Sequence, residues 1–333
     1  MKMTIFDTHK FDREALERAN NGRHELHFLE VRLSAQTAPL AQGSEGVCLF
    51  ANDKADATVL EILAGFGIKL IALRSAGYNH VDLECADRLD LTVVRVPEYS
   101  PYAVAEYAVA LLLCLNRKIH RAHDRVRELN FSLDGLIGFD VHGKTIGVIG
   151  TGRIGRVFAE IMTGFGCRIL LHDKITNDSW AQKIKAEYVA SEVLFRQSDI
   201  ISLHVPLTKE SKHLIDADAF QKMKSDAIII NTGRGGLIDT VALIAALKKH
   251  LIGGACLDVY EEEEGVFFSD HSEAGITDDV LARLLTFPNV LITSHQAFLT
   301  RDALKNIAET TVSSLTKFER HEDLGSVVVH GPK

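Results

Sequence analysis

Six near-continuous apolar runs in the second half of the chain constrain its fold more than any other feature. They lie, in order, in KTIGVIG, CRILLHD, DIISLHVPL, AIIINTG, GGACLDVY and NVLITSH. Apolar runs without strict alternation are typical of parallel strands that helices cover on both faces. Because stretches of helical periodicity separate the runs, the sequence predicts an α/β domain around a parallel sheet.

A second series of alternating strands and helices fills the first hundred residues. It runs from MTIFD through REALERANN, ELHFLEV, GVCLFA, DATVLEILAGF and KLIALRS to DLECADRL and LTVVRV. A chain of 333 residues is longer than most single cores. The sequence therefore predicts an α/β protein with two Rossmann-like, doubly wound parallel-sheet domains and a cleft between them.

Two helical stretches indicate where the domains meet. SPYAVAEYAVALLLCLNRKIHRAHDRVREL, which begins at Ser100, is predicted to form one long helix at the junction. TRDALKNIAETTVSSLTKFE follows the last apolar run and predicts an amphipathic helix that returns to the first domain. The predicted domains are residues 1–100 with 299–333, and residues 101–298.

The charge balance and the cysteines limit the partners and the compartment. Acidic residues outnumber basic residues by 45 to 37, and the net charge of −8 gives no positive field for a nucleic acid. The N-terminal sequence lacks the pattern of a secretory signal, and the apolar stretch around Ala108 is too short to cross a bilayer. The five cysteines contain no CxxC pair, which favours reduced thiols in the cytoplasm and no disulfide framework or metal site.

A glycine-rich loop follows the first run of the second series. Gly150, Gly152 and Gly155 have GxGxxG spacing between a predicted strand and a predicted helix. This arrangement allows a tight turn, close approach to a pyrophosphate and helix–strand contact, with the helix N-terminus facing the negative charge. The next strand ends at Asp173, where an acid can bind both ribose hydroxyls and repel a 2′-phosphate. The loop predicts NAD as the cofactor; the alternatives are a turn without a nucleotide, or NADP bound with the help of a basic neighbour.

Charged or titratable side chains follow three of the later strands. Arg234 comes after AIIINTG, Asp258 and the acidic run EEEE come after GACL, and His295 comes after VLITS. Since ligands of open α/β sheets bind beyond the carboxyl ends of the strands, these side chains are predicted to converge beside the cofactor. An arginine there can hold a carboxylate bidentately. Taken singly, each has a structural alternative: a surface ion pair, a solvated acidic loop or a strand-end histidine.

Several motifs in the right order resemble one enzyme family along almost the whole chain. GTGRIG, HVPLT, NTGRGGLID, GACLDVYEEE and SHQAF resemble the D-isomer-specific 2-hydroxyacid dehydrogenases. Within that family, LRSAGYNHVDL, VPEYSPYAVAEYAV and SHQAFLT look most like the fermentative D-lactate dehydrogenases. The resemblance implies hydride transfer from NADH to pyruvate, a flavodoxin-like substrate domain in residues 1–100 and 299–333, and an NAD-binding Rossmann domain in residues 101–298. It also implies a homodimer, with a tetramer as the larger alternative, through the apolar helix from Tyr102.

The resemblance also implies catalytic roles. Arg234 falls where the family fixes the substrate carboxylate, and His295 falls where it has the proton donor. The catalytic glutamate of the family is the last acid of the DVYExE pattern, which is Glu263 here. A carboxylate beside an imidazole stabilises the imidazolium form that donates the proton. The three other acids of the run are expected to be mostly solvated.

Further contacts carry over from the family. The backbone N–H groups of Ala76 and Gly77 are expected at the substrate carboxylate, Tyr99 over the site, and Phe298 at the wall of a pocket of pyruvate size. The expected cofactor-binding residues are Gly150, Gly152, Arg153, Ile154, Gly155, Asp173, Val205, Pro206, Ser211, Thr232, Gly233 and Asp258. The chain departs from the family pattern where a lysine follows Asp173 in place of proline, and where Ser211 replaces a frequent asparagine. The first change alters the surface expected to contact the adenine of the cofactor. The second removes the side chain expected to form one hydrogen bond with the cofactor.

Two other functions remain open. The same scaffold accepts bulkier 2-keto acids when its pocket widens, so an enzyme of the D-2-hydroxyisocaproate dehydrogenase type is one alternative. A non-catalytic NAD(H)-sensing module, like the corepressors that share the fold, is the other, since such proteins can retain Arg234, Glu263 and His295. Turnover of pyruvate and of 2-ketoisocaproate distinguishes the three functions.

Overall fold

The chain, described over residues 1–330 by a computed structural model, divides into two compact units. One unit comprises residues 1–100 together with the chain from Leu299, and the other comprises residues 101–298. Within residues 1–330, no helix combines the length and the apolar character that a membrane span requires.

The first unit is built on a six-stranded sheet. Its strands and α-helices are β1 (Lys2–Ile5), α1 (Lys10–Asn20), β2 (Glu25–Phe28), β3 (Gly46–Leu49), α2 (Ala57–Gly65), β4 (Leu70–Leu73), α3 (Leu83–Arg88), β5 (Thr92–Val94), α12 (Arg301–Glu319) and β13 (Val328–His330). The strand order is β13-β5-β4-β3-β1-β2, and all neighbours are parallel except β13, which runs antiparallel to β5. The order β2-β1-β3-β4-β5 is flavodoxin-like, and ligands of such sheets bind where the order reverses, beyond β1 and β3.

The last helix of the chain belongs to the core of this unit. α12 packs on α1 and β4, and its apolar stripe contributes Ala308, Val312 and Leu315 to a cluster with Met3 and Ile5 of β1. Strand β13 was not predicted, because three residues that follow a single 3₁₀ turn are too short to show a period. The sheet of this unit is therefore parallel except at one edge.

The second unit is built on a seven-stranded parallel sheet. Its elements are α4 (Pro101–Arg117), α5 (Ile119–Arg127), β6 (Thr145–Ile149), α6 (Arg153–Gly164), β7 (Arg168–His172), α7 (Asp178–Lys183), β8 (Glu187–Tyr188), α8 (Ser191–Gln197), β9 (Ile200–Leu203), α9 (Ala217–Lys222), β10 (Ile228–Asn231), α10 (Thr240–Lys248), β11 (Gly254–Leu257), α11 (Asp279–Leu285) and β12 (Val290–Ile292). The strand order β12-β11-β10-β9-β6-β7-β8 is that of the Rossmann fold, which reverses between β6 and β9. The predicted α/β class is confirmed, and the six apolar runs are six of these seven strands.

Burial on both faces explains why the strands of the second unit read as continuous apolar runs. In β10, Ile228 and Ile230 pack into a cluster with α4 and α6, whereas Ile229 packs into the cluster on the opposite face. Successive side chains of a strand point to opposite faces, so a sheet covered on both sides requires apolar residues at every position. Strand β8 lies at the edge with only two residues, and it was not predicted.

The predicted single helix at the domain junction is wrong in one respect. The helix stops at Arg117, Lys118 adopts a left-handed conformation with φ 52°, and a separate helix α5 begins at Ile119. α4 buries one face against the sheet and α6, but α5 has no buried residue. Most of the stability of a helix in a protein comes from tertiary packing. Because α5 has no packed face, no packing contact stabilises it as a straight continuation of α4.

Candidate active site

The glycine-rich loop has the geometry that its spacing predicts. Gly150 has φ +94°, and a Cβ there would lie 2.5 Å from the carbonyl oxygen of His204. A Cβ on Gly155 would lie 1.9 Å from the carbonyl oxygen of Gly150, so α6 can start this close to β6 only with glycine. A Cβ on Gly152, the N-cap residue of α6, would meet no atom within 4 Å. The loop thus presents open backbone and a helix N-terminus to an anion.

Asp173 follows β7 and is held by the same loop. Its Oδ2 accepts hydrogen bonds from the amide and the Oγ1 of Thr151, and its Oδ1 accepts one from the Ile175 amide. Burial raises the pKa of the Asp173 carboxyl, but the hydrogen bonds from Thr151 and the Ile175 amide outweigh burial and lower the pKa below its ordinary value. Asp173 is therefore a charged acceptor beside the glycine turn, as a ribose-binding acid must be.

The other predicted cofactor residues lie at the carboxyl ends of neighbouring strands. Arg153 and Ile154 form the first turn of α6, Val205 and Pro206 follow β9, and Thr232 and Gly233 follow β10. The buried Oγ1 of Thr232 has no hydrogen-bond partner among residues 1–330, as expected of a group that a ligand satisfies. Ser211 differs, because its hydroxyl donates to the carbonyl oxygen of Pro206 within its own loop. The glycine turn, the charged acid and the unpartnered hydroxyl fit a dinucleotide.

In the part of the chain that the structure describes, no group of three or more His, Cys, Asp or Glu side chains is arranged to hold a metal ion. At the strand ends, Glu263 pairs with His295, and the carboxylate of Asp258 accepts hydrogen bonds from backbone amides.

Arg234 begins the turn after β10 and lacks an acidic partner. The side chain is half-buried, its Nη1 donates to the carbonyl oxygen of Gly233 at 2.7 Å, and no carboxylate of residues 1–330 forms an ion pair with it. Its remaining donors can hold a substrate carboxylate bidentately. The turn packs tightly on the start of the acidic run, since a Cβ on Gly235 would lie 2.0 Å from the carbonyl oxygen of Tyr260. Arg234 and the acidic run are therefore neighbours.

Glu263 and His295 form a hydrogen-bonded pair. His295 Nδ1 lies 2.7 Å from Glu263 Oε1, and the two side chains are only 19% and 18% exposed. Glu263 Oε2 accepts a hydrogen bond from the Tyr260 amide at 3.1 Å, so both carboxylate oxygens are fixed. Because Nδ1 faces the carboxylate, Nε2 is the ring nitrogen left to exchange a proton with a ligand. Phe298, the last residue of this unit, follows shortly after His295.

Asp258 shapes the loop that carries His295. The backbone carbonyl of Asp258 accepts from the His295 amide at 2.7 Å, and Oδ1 accepts from Thr293 Oγ1 at 2.6 Å and from the Gln296 amide at 3.0 Å. Oδ2 accepts from the Ala297 amide at 2.8 Å. Burial raises the pKa of Asp258, and these hydrogen bonds partly oppose that effect. They hold His295 at φ +53°, a left-handed conformation that few residues adopt, and the contact of Asp258 with a cofactor stays a prediction.

One acid of the run, Glu261, is not solvated as expected. Its Oε1 lies 2.6 Å from His213 Nε2, its Oε2 accepts from Thr240 Oγ1 at 3.3 Å, and the side chain is 20% exposed. His213 also donates its backbone amide to the carbonyl oxygen of Gly236, and so joins the turn that carries Arg234 to the acidic run. The acids on either side of Glu263 are exposed. The pair was not predicted because His213 lies 48 positions before Glu261, and only its place after a neighbouring strand hints at the contact.

In the first unit, the predicted substrate-binding residues follow β4 and β5. The amides of Ala76 and Gly77 donate to no acceptor among residues 1–330, whereas their carbonyl oxygens accept from Arg95 Nη1 and from Ser75 Oγ. Two successive amides without an acceptor among residues 1–330 can donate hydrogen bonds to one anion. Tyr99 follows β5, and its carbonyl oxygen accepts a hydrogen bond from α12.

Comparison with known proteins identifies the family. The sequence model of the D-isomer specific 2-hydroxyacid dehydrogenase NAD binding domain matches residues 109–297. A 2-hydroxyacid dehydrogenase homolog of Zymomonas mobilis is 49% identical over 99% of this chain and 100% of its own length. The D-lactate dehydrogenase of Escherichia coli is 48% identical over 97% of this chain and 98% of its own. The solved structure of the pyruvate reductase of Chlamydomonas reinhardtii matches with a TM-score of 0.92 at 41% identity, over 98% of both chains.

The matches to the two relatives and to the solved structure extend over nearly the full chain, so they include both units and every strand end described above. The family and the cofactor predicted from the sequence are confirmed. The chain belongs to the D-isomer-specific 2-hydroxyacid dehydrogenases, a family of NAD-binding oxidoreductases.

Proposed function

We propose that the protein is an NAD-dependent D-lactate dehydrogenase that reduces pyruvate to D-lactate. The observation that carries the proposal is the hydrogen-bonded pair of His295 and Glu263 at the same sheet edge as Arg234, which has no acidic partner among residues 1–330. Reduction of a 2-keto acid consumes a proton at the keto oxygen and leaves a carboxylate to be bound, so an acid and a guanidinium are the groups that it needs. The names of two relatives, a D-lactate dehydrogenase and a pyruvate reductase, support this substrate.

Arg234 is the proposed anchor of the substrate. Its planar donors bind the pyruvate carboxylate and draw electron density from the adjacent keto group. Because the guanidinium is half-buried and its turn is clamped against the acidic run, it is held in place before the substrate arrives. Donors that are preorganised in this way stabilise the developing negative charge without a cost of reorientation.

His295 is the proposed proton donor. NADH, when bound, supplies the hydride that reduces the keto carbon. His295 protonates the keto oxygen from Nε2, since its Nδ1 faces Glu263, and the carboxylate stabilises the imidazolium before transfer. In the oxidation of D-lactate, the same Nε2 accepts the hydroxyl proton.

The first unit is the proposed substrate domain. The amides of Ala76 and Gly77, which donate to no acceptor among residues 1–330, are proposed to donate to the substrate carboxylate. Tyr99 and Phe298 are proposed to contact the substrate, and large side chains beside it would favour the methyl group of pyruvate over the branched chain of larger 2-keto acids.

Steady-state oxidation of NADH with pyruvate and with 2-ketoisocaproate tests the proposal. We expect kcat/KM to be at least about tenfold higher for pyruvate, since each extra methylene is worth about 10–200-fold in a fitted pocket. A higher value for 2-ketoisocaproate would favour the hydroxyisocaproate type of enzyme. Tight NADH binding without turnover of either acid would instead favour an NAD(H)-sensing module.

We also propose a homodimer in the cytoplasm, with its contact after α4 and not on α4 itself, because most apolar residues of the helix from Tyr102 are buried within their own unit. The second half of α5 and the segment after it expose Val126, Leu129, Phe131, Leu133 and Ile137, each between 48% and 87%. Several exposed large apolar side chains in one short stretch of sequence are typical of an interaction site, and a second copy of the chain is the proposed partner. All five cysteines are free thiols, which supports a reducing compartment.

A further inference from the structure

A chain of hydrogen bonds runs from the edge strand β8 to the acid that follows β7. We propose that Tyr188 and Thr151 act as positioning residues, which fix the Asp173 carboxylate and thereby set the preference for NADH over NADPH. The inference deepens the proposed function and rests on it, because it concerns the cofactor of the same enzyme.

Three contacts define the chain of hydrogen bonds. The Asn177 backbone nitrogen lies 3.2 Å from Tyr188 Oη, Tyr188 Oη lies 2.8 Å from Thr151 Oγ1, and Thr151 Oγ1 lies 3.1 Å from Asp173 Oδ2. A backbone N–H can only donate, an ionised carboxylate can only accept, and each hydroxyl has a single proton. Only one arrangement of protons satisfies all three contacts: Asn177 donates to Tyr188, Tyr188 to Thr151, and Thr151 to Asp173. All the donors therefore point towards the carboxylate, and each bond polarises the next.

The fold places Tyr188 where it can reach the loop. Strand β8 pairs in parallel with β7, and Tyr188 is in register with Leu171, so its side chain lies close to the end of β7. Asn177 caps the N-terminus of α7 through its side chain, and this fixes the backbone that donates to Tyr188. The short strand β8, which the sequence pattern did not reveal, thus supports the cofactor site.

The chain of hydrogen bonds leaves Oδ1 of Asp173 able to bind the cofactor. Thr151 is 2% exposed, and both its amide and its hydroxyl donate to Oδ2, which occupies that oxygen. Oδ1 accepts a hydrogen bond from the Ile175 amide and can also accept one from a ribose hydroxyl. A 2′-phosphate is accommodated only if the carboxylate turns away or gains a proton. The donors from Thr151 oppose both, since they hold the carboxylate in place and favour its charged form.

Isosteric variants test each hydrogen bond of this chain separately. Tyr188→Phe and Thr151→Val each remove one hydroxyl with little change in shape, and Thr151→Ser keeps the hydroxyl as the matched control. We would measure the Kd of the purified full-length enzyme for NADH and for NADPH by isothermal titration calorimetry. We expect the NADH Kd to rise about tenfold in the first two variants, so that the ratio of the NADPH Kd to the NADH Kd falls by a similar factor. Thr151→Ser should keep the wild-type ratio of the NADPH Kd to the NADH Kd. In Tyr188→Phe and Thr151→Val, the loss should appear in cofactor binding, whereas kcat with pyruvate at saturating NADH should not change.

A double-mutant cycle with Asp173→Asn separates positioning from a general structural effect. In the Asp173→Asn background, Tyr188→Phe should cause no further change in the ratio, because the carboxylate on which it acts is gone. A wild-type ratio in both hydroxyl-deletion variants, or an effect of Tyr188→Phe that persists in full without Asp173, would overturn the inference. A wild-type enzyme that binds neither dinucleotide would overturn the proposed function as well. An enzyme that reduces pyruvate but keeps the wild-type ratio of the NADPH Kd to the NADH Kd in both variants would overturn only the inference.

Discussion

At the scale of single residues, the geometry of one carboxylate distinguishes Glu263 from the acids beside it. Glu263 turns inward, with one oxygen on His295 and the other on the Tyr260 amide. Glu262 points to solvent, and Glu261 is engaged by His213. Adjacent residues of the same kind therefore have different environments, and Glu263 is in contact with the imidazole of His295.

Glu263→Gln should slow pyruvate reduction. Loss of the charged partner removes a hydrogen bond of about 1.5–3 kcal/mol, so we expect kcat to fall about 10–100-fold. Steady-state kinetics with pyruvate at saturating NADH provide the measurement, and Glu262→Gln, at an exposed position, is the matched control. An unchanged kcat in Glu263→Gln would contradict the pairing.

Arg234→Lys should weaken substrate binding without affecting the cofactor. Lysine keeps the charge but cannot hold a carboxylate through two parallel N–H donors. We expect kcat/KM for pyruvate to fall by at least about tenfold, which corresponds to the loss of one charge-assisted hydrogen bond. The NADH Kd, measured by calorimetry, should stay at the wild-type value. A wild-type KM for pyruvate would show that the carboxylate binds elsewhere.

Several of these residues could be predicted from the sequence, and the reason is topological. Gly150, Asp173, Arg234 and His295 directly follow apolar runs, and the carboxyl ends of parallel strands share one edge. The inward orientation of Glu263 could not be derived from the run EEEE itself, and it came from the resemblance to the family. In the structure, this orientation depends on contacts with residues that are distant in sequence, which no local pattern encodes.

At the scale of elements, strands covered on both faces could be predicted, whereas short edge strands and one helix break could not. Strands β8 and β13 depend on pairing with a neighbour and carry no period of their own. No glycine or proline marks the break at Lys118, which occurs where the buried face of α4 ends. Tertiary packing decided these elements, and the local sequence did not.

Two glycines of α6 should respond in opposite ways to alanine. A Cβ on Gly155 would lie 1.9 Å from the carbonyl oxygen of Gly150, whereas a Cβ on Gly164 would meet nothing within 4 Å. We expect Gly155→Ala to lower the free energy of unfolding by about 1–3 kcal/mol and to weaken NADH binding. Gly164→Ala, the matched control on the same helix, should leave NADH binding intact and raise stability by no more than about 1 kcal/mol. Chemical denaturation and calorimetry give both quantities, and equal effects of the two substitutions would contradict the close approach of α6 to β6.

At the scale of the whole molecule, the topology of each unit places the proposed functional residues at one edge of its sheet. In the second unit, the glycine loop follows β6, and Arg234, Asp258 and His295 follow β10, β11 and β12. In the first unit, Ala76 and Gly77 follow β4, and their amides donate to no acceptor within the described residues 1–330. Two sheets of known strand order therefore account for the position of nearly every residue to which we assign a role.

The proposed homodimer should depend on the apolar surface after α5. Leu133 and Ile137 are 80% and 87% exposed, so charges there do not disturb the core of one subunit. We expect Leu133→Asp combined with Ile137→Asp to shift the mass in light scattering from dimer to monomer, while the circular dichroism of the fold is kept. Lys209→Asp, at an exposed site in another loop, should remain dimeric. A double variant that keeps the wild-type mass would place the interface elsewhere.

The configuration of the product tests the central claim most directly. Pyruvate and NADH would be incubated with the purified enzyme until the absorbance of NADH disappears, and the lactate would be resolved by chiral chromatography. If His295, Glu263 and Arg234 act as we propose, the product is D-lactate, formed in equal amount to the NADH consumed. L-lactate, or no lactate at all, would contradict the account.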